Sequence, residues 1–397
     1  MTPLSPIKPP DEAPVSSPRA LRMPFDPLLT LAVIGLGICS TVTLRGATKK
    51  LVPGDPHYYV DRQVIYLIVG FVFMLVLSRF DYARLRRFKN PIYAALLLSI
   101  LAVLALGHAA KGSQRAINFP LFSFQASELG KVLLIVALAA LLVERARQLG
   151  SRDTTLRLMI AALIPAMFVI AQPDLGSGMV YMAIAYMLLF VAGTSWRQLA
   201  ALAALVAMAA TFVLVAAPAA GVHVLKSYEV NRLTAFLHPS SDPSKEGYQQ
   251  QQSKIAIGSG QKTGRGAKST QVQLGYLPES HTDFVFAATA ERYGFVGAGL
   301  VLALYALLIS RTLRVLVMAK DLFGSLIAAG VAAMLMFQVF VNVGMTIGIM
   351  PITGVTLPLM SYGGSSVITT LLAVGLLQSI YVRARASQAL KGRVPRF

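Results

Sequence analysis

Ten long apolar blocks, separated by polar connections, fill the chain from residue 26 onward. They fall at about 26–44, 60–78, 91–107, 127–143, 158–172, 176–193, 198–219, 284–309, 323–345 and 363–382. A helix needs roughly 17–25 apolar residues to cross a hydrocarbon core about 30 Å thick, and the fifth and sixth blocks barely reach that. Hydrocarbon offers backbone groups no water, so such blocks must satisfy their hydrogen bonds as helices. The pattern predicts an all-α polytopic membrane protein with about ten transmembrane helices. Residues 1–24 precede the first block; they are rich in Pro and Ser, have no helical period and read as a disordered tail. The transmembrane domain is read as 25–383, with a basic tail at 384–397. A long polar loop, 220–283, separates helices 7 and 8.

Composition agrees with this reading. Only 13% of the residues are charged, against about 25% in soluble proteins, and 55% are hydrophobic. The formal charge of +19 would suggest nucleic acid in a soluble chain. Here the basic residues lie between apolar blocks with few aromatics among them, so they are a topological signal and a match for anionic membrane lipids. Nucleic acid is not an expected partner. With the N-terminus inside, Arg79, Arg84, Arg86, Arg87, Lys89, Arg145, Arg147, Arg311, Arg314 and Arg383 all fall on the inner side. The short outer loops hold far fewer. Both termini are therefore predicted to be cytoplasmic and the 220–283 loop extracytoplasmic. Cys39 is the single cysteine, which leaves no internal disulfide or thiolate cluster.

Candidate chemistry gathers on the outer side. The loop ends in His281-Thr282-Asp283, where water meets the eighth block. Ionisable groups at that depth are costly and point to function. The same position suits a helix cap by Thr282 or Asp283. Glu128 and Lys131, three apart early in the fourth block, share a helix face and can pair. They are either a structural ion pair or a charged lining for a phosphate. Asp174, in Gln172-Pro173-Asp174-Leu175-Gly176, suits an Asx-type turn. Arg115 and Arg232 carry planar forks suited to diphosphate, or are solvated loop charges. The run Ile257-Gly258-Ser259-Gly260 with Gly264-Arg265-Gly266 reads as a flexible loop rather than a phosphate cradle. Gly and Pro are dense in several outer segments, including 346–366, which suggests irregular backbone converging on a polar cavity.

Taken together, five ordered motifs resemble the SEDS family of peptidoglycan glycosyltransferases. They are Phe124 to Lys131, Gln172 to Gly176, Tyr248 to Gly260, Leu277 to Phe284 and Pro358 to Ser366. Asn342-Val343-Gly344-Met345 and Pro351-Ile352-Thr353-Gly354 are similar to the elongation (RodA) branch more than to the division (FtsW) branch. The resemblance implies polymerisation of lipid II into a nascent glycan strand with inversion, and Asp283 as general base. It implies substrate-binding roles for Arg115, Glu128 and Lys131. Arg232, His281 and Ser365 complete the expected set. It further implies a class B penicillin-binding protein as partner; a divalent cation, magnesium or manganese, is the one cofactor to consider. Ala126, Ala116 and Arg292 depart from the family pattern, and Arg292 adds a positive charge near Asp283. The competing readings are a lipid II transporter and a scaffold without chemistry.

Overall fold

Each apolar block folds as a helix, and several of these helices begin at a side-chain cap. The structure, a computed structural model, describes residues 25–48, 55–106, 116–118, 123–148, 151–212 and 246–391. Its helices are α1 Pro27–Ala47, α2 Tyr58–Arg79, α3 Lys89–Leu106, α4 Ala126–Glu144, α5 Arg152–Ala171, α6 Leu175–Val191, α7 Trp196–Thr211, α8 Glu246–Gly260, α9 Val285–Met318, α10 Leu322–Ile347 and α11 Gly364–Lys391. A short hairpin, β1 Ile117–Asn118 and β2 Ser123–Phe124, precedes α4. Asp26 caps α1 by accepting from the amides of Leu28 and Leu29, with Pro27 in the first helical position. Ser151, Asp174 and Asp321 cap α5, α6 and α10 in the same way. Gly348, at φ 84°, ends α10 in the left-handed conformation that favours glycine.

Among the described residues, eight helices are long and apolar enough to cross a membrane, and α6 and α7 are shorter apolar helices. The ten predicted blocks thus correspond to the ten apolar helices, and the polar α8 matches none of them. The chain is a multi-pass helical membrane protein. α4, α10 and α11 form the centre, with 78%, 67% and 78% of their apolar stretches buried, whereas α3, at 17%, faces outward. α2 packs along α11 so closely that a Cβ on Gly375 would lie 3.0 Å from the Met74 backbone. Small residues permit this approach in helical membrane proteins, where packing replaces the hydrophobic drive. At the end of the bundle away from α8, buried Asp26 accepts from Arg311 Nε at 2.9 Å and joins α1 to α9. Gln378 of α11 completes that lock by accepting from the Asp26 amide at 2.8 Å.

The structure differs from the sequence reading at three places. The 220–283 loop contains an ordered helix, α8, packed on α9 and α10. α9 is 34 residues long and is interrupted at Gly294 (φ 65°, ψ −161°). α11 continues to Lys391, so the first part of the 384–397 segment is helical. Residues 1–24 lie outside the described residues.

Candidate functional site

The break in α9 shapes the approach to the site. At Gly294 the helix loses its regular ladder, and the segment after α8 takes over. Arg265 N donates to Glu291 O (2.9 Å), Phe295 N to Gln261 O (2.8 Å) and Val296 N to Lys262 O (3.1 Å). Buried Glu291 accepts from the amides of Gln271 (2.8 Å) and Val272 (3.2 Å). Irregular backbone at this depth is tolerated only when protein satisfies it, as it does here. The approach is so close that a Cβ on Gly264 (φ 85°) would lie 2.2 Å from Arg292 O. Within the glycine run read from sequence as a flexible loop, Gly260 and Gly264 are therefore fitted contacts, where only glycine lets the two backbones meet, whereas Gly258 and Gly266 face open space.

Asp283 lies immediately before α9, whose N-cap position is Phe284. Thr282 does not face the helix start; its hydroxyl donates to Glu279 Oε2 at 2.9 Å. Three consecutive carbonyls of the His281-Thr282-Asp283 segment are each held by a donor from α10 or the segment after it. Tyr362 N donates to His281 O (2.8 Å), Ser361 Oγ to Thr282 O (2.6 Å) and Asn342 Nδ2 to Asp283 O (2.9 Å). Asn342 also donates to Val355 O at 2.8 Å. Ser361 Oγ in turn accepts from Leu357 N at 2.8 Å. Fully buried Asn342 is the bracing residue of this segment that residue spacing does not single out. In the sequence it stands within a branch signature, although a carboxamide inside an apolar helix is itself a signal.

The segment 348–366 is the common thread of the site. Thr356 Oγ1 reaches Glu128 Oε1 at 3.4 Å and pairs with Ser366 Oγ at 3.0 Å. Glu128 in turn accepts from Lys131 Nζ at 2.7 Å, and both side chains are buried in the bundle. Removing either member of such a buried pair would leave the other as an uncompensated buried charge. Ser365 accepts from Gln125 N (2.9 Å) and donates to Ser123 O (2.8 Å), which ties the hairpin to the start of α11. Asp174 caps α6 through Ser177 N (3.1 Å) and accepts from Ser127 Oγ (2.8 Å) and Gln125 Nε2 (3.1 Å).

Aromatic rings crowd the same end of the bundle. The Tyr59 ring lies 4.8 Å from His281 and 4.9 Å from Tyr362. Burial pushes the Tyr362 phenol well above its usual range, so it stays neutral. The Arg62 guanidinium lies 4.3 Å above the Tyr58 ring, a cation–π contact.

Of the residues expected from sequence, the structure brings His281, Asp283, Glu128, Lys131 and Ser365 onto one connected framework. Arg115 and Arg232 lie outside the described residues. Arg292 lies across Gly46 of α1, with its Nε donating to Tyr293 Oη at 3.2 Å. Among the described residues, no group of three or more His, Cys, Asp or Glu side chains comes together to hold a metal.

The fold and this site define a class: a polytopic helical membrane protein that presents a carboxylate on a braced segment between two packed helices. The chain belongs to the FtsW/RodA/SpoVE family, whose model, described as a cell cycle protein, matches residues 25–386. It is 36% identical over 351 residues to the probable peptidoglycan glycosyltransferase FtsW of Geobacter sp. (strain M18), covering 86% of this chain and 91% of that relative. It is 34% identical over 365 residues to the peptidoglycan glycosyltransferase MrdB of Escherichia coli (strain K12), covering 92% and 95%. Among solved structures, it resembles a chain from work on the structural coordination of polymerization and crosslinking by a peptidoglycan synthase complex. That match has a TM-score of 0.76 and 32% identity, over 91% of this chain and 98% of that one. The rod shape determining protein RodA of Thermus thermophilus matches with a TM-score of 0.67 and 30% identity, over 91% and 97%.

Proposed function

We propose that this protein is a peptidoglycan glycosyltransferase that extends glycan strands from lipid II at the outer face of the bacterial plasma membrane. The observation that carries the reading is the bracing of the Asp283 segment at three successive carbonyls, in a chain whose relatives bear that enzymatic name. A general base acts only when held within hydrogen-bond reach of the proton it takes, and a braced backbone supplies that constancy.

In the proposed reaction, Asp283 accepts the proton of the acceptor sugar 4-hydroxyl. The hydroxyl oxygen forms a bond to the donor anomeric carbon while the bond to the lipid diphosphate breaks. Single displacement inverts an α-linked donor to a β-1,4 product. The leaving diphosphate gains charge that Arg115 and Arg232 are assigned to stabilise. Lys131, held by Glu128, is assigned to support the 356–366 segment rather than to contact phosphate. No step is assigned to a divalent cation.

Both termini are assigned to the cytoplasm and the α8 end to the outer side, on the distribution of Lys and Arg. A crosslinking class B penicillin-binding protein is the assigned partner, in keeping with the synthase-complex relative. Sequence likeness to relatives named FtsW and MrdB is nearly equal, so the elongation role rests on residues 342–345 and 351–354 alone.

The test is polymerisation of labelled lipid II by purified wild type and Asp283→Asn, with and without the partner. The substitution keeps size and removes the base. We expect at least a hundredfold loss of polymer with unchanged folding, in line with the usual worth of a general base. A folded Asp283→Asn protein that polymerises at the normal rate would refute the assignment.

A further inference from the structure

Between α1 and α2 runs an apolar groove of about 410 Å³, floored by Gly37, Leu67 and Leu371 and flanked by Ile38 and Ile68. Ile38 and Ile68 are 57% and 59% exposed, so the groove opens sideways, toward surrounding lipid. Its upper residues are Thr41 and Val64. Each lies six residues from the adjoining helix end, Ala47 or Tyr58. At 1.5 Å per residue, the groove starts about 9 Å below those ends and runs about 12 Å further down α2. That depth is within the hydrocarbon core.

The two helices that line the groove also hold the site segment. Ser40 and Gln63, the chain neighbours of Thr41 and Val64, turn the other way and hold the site segment. Ser40 Oγ donates to Met360 O (2.9 Å), and Gln63 Nε2 donates to Ser40 Oγ (3.0 Å) and Ser361 O (3.4 Å). Ser361 then donates to Thr282 O, one residue from Asp283. One turn above the groove, exposed Arg45 follows Thr41 at i+4, and exposed Asp61 precedes Val64 at i−3. Residues at these spacings share a helix face. An apolar channel with a charged mouth, adjoining a site that handles a saccharide, has the polarity profile of a lipid-linked sugar. The substrate is a single molecule, so a seated tail fixes where its diphosphate and anomeric carbon lie.

We propose that the α1–α2 groove is the seat of the polyprenyl tail of the lipid-linked saccharide. This rests on the glycan-polymerising reading above. The seat acts on binding: buried methylenes lower KM, and a saccharide on a short chain, which does not reach the groove, gains nothing from it.

The test compares two substrates, the full-length polyprenyl-linked disaccharide-pentapeptide and the same headgroup on a chain of two isoprene units. Gly37→Leu raises the groove floor; Ile68→Trp, made separately, obstructs its open side. Each is expected to raise KM for the long-chain substrate roughly tenfold, the worth of about two buried methylenes, and to leave KM for the short chain unchanged. Equal changes for both substrates, or none for either, would overturn the tail seat. If wild type polymerises neither substrate, the enzymatic reading itself fails, which is a distinguishable result. A photoreactive residue at position 38 in an otherwise wild-type chain provides a second measurement that needs no groove-blocking variant. It is expected to crosslink to radiolabelled long-chain substrate, whereas one at position 65, exposed on α2 but not lining the groove, is not. Crosslinking at position 38 to bulk phospholipid alone would count against the proposal.

Discussion

Asn342 illustrates what one side chain contributes here. Its Nδ2 reaches two carbonyls on separate segments, Asp283 O and Val355 O, and so sets the spacing between the acid and the 351–362 segment. Asn342→Leu keeps the approximate volume and removes both bonds. A buried carbonyl left without a partner costs about 1–3 kcal/mol. The catalytic effect is expected to be larger than the stability effect suggests, because misplacing a reacting group by about 1 Å can cost a hundredfold in rate. Steady-state kinetics should show kcat reduced roughly ten- to a hundredfold and KM within threefold of wild type. A variant with unchanged kcat would show that the acid needs no such brace. Sequence alone singled out Asp283 as a candidate by its place at the end of a polar loop, and anticipated the pairing of Glu128 with Lys131 by helical spacing. It did not identify Asn342 as a brace, because both of its carbonyl partners are distant in the chain and backbone acceptors leave no trace in residue identity.

At the level of elements, the ten apolar helices were legible because hydrocarbon demands long uninterrupted runs, and a run is visible residue by residue. The break in α9 was not, since Glu291-Arg292-Tyr293 before Gly294 reads equally as polar positions within a continuous helix, and the hydrogen bonds that replace the ladder come from a separate segment. α8 was hidden for the opposite reason. Its sequence, Glu246 to Gly260, is polar and Gln-rich, and it is held by side-chain bonds to α10 and the turn after it. These are Ser253 Oγ to Thr346 O (2.8 Å) and Gln250 Nε2 to Met350 O (3.1 Å). The fit between the α8–α9 connection and the break yields a sharp prediction. Gly264→Val adds a side chain at φ 85° and drives Cβ against the Arg292 carbonyl. It should lower the detergent melting temperature and cut polymerisation at least tenfold, while Gly258→Ala, at a helical position with open space around it, should change neither. A normal melting temperature for Gly264→Val would mean that the contact is dispensable.

For the whole molecule, the alternation of helices places the basic clusters Arg79 to Lys89 and Arg145 to Arg147 at the end opposite the Asp283 segment. Orientation can be read directly. In a Cys39→Ser background, Thr263→Cys and Gln148→Cys each supply one exposed thiol, at opposite ends. A membrane-impermeant maleimide applied to intact spheroplasts should label position 263 and spare position 148. The reverse pattern would put the acid on the cytoplasmic side, away from the growing wall. Charge bias predicts this orientation and five motifs made the family legible, whereas the way the segments lace together had to be seen. That lacing has one further consequence. The contacts to residues 281, 282 and 283 all end on main-chain oxygens, so they depend on counting along the chain rather than on which side chains stand there. Exchanging His281 or Thr282 for another residue leaves all three latches closed. Inserting a single residue between Leu357 and Tyr362 would slide Ser361 and Tyr362 out of step while Asn342 stayed put. The length of that stretch is therefore a stricter requirement than its composition.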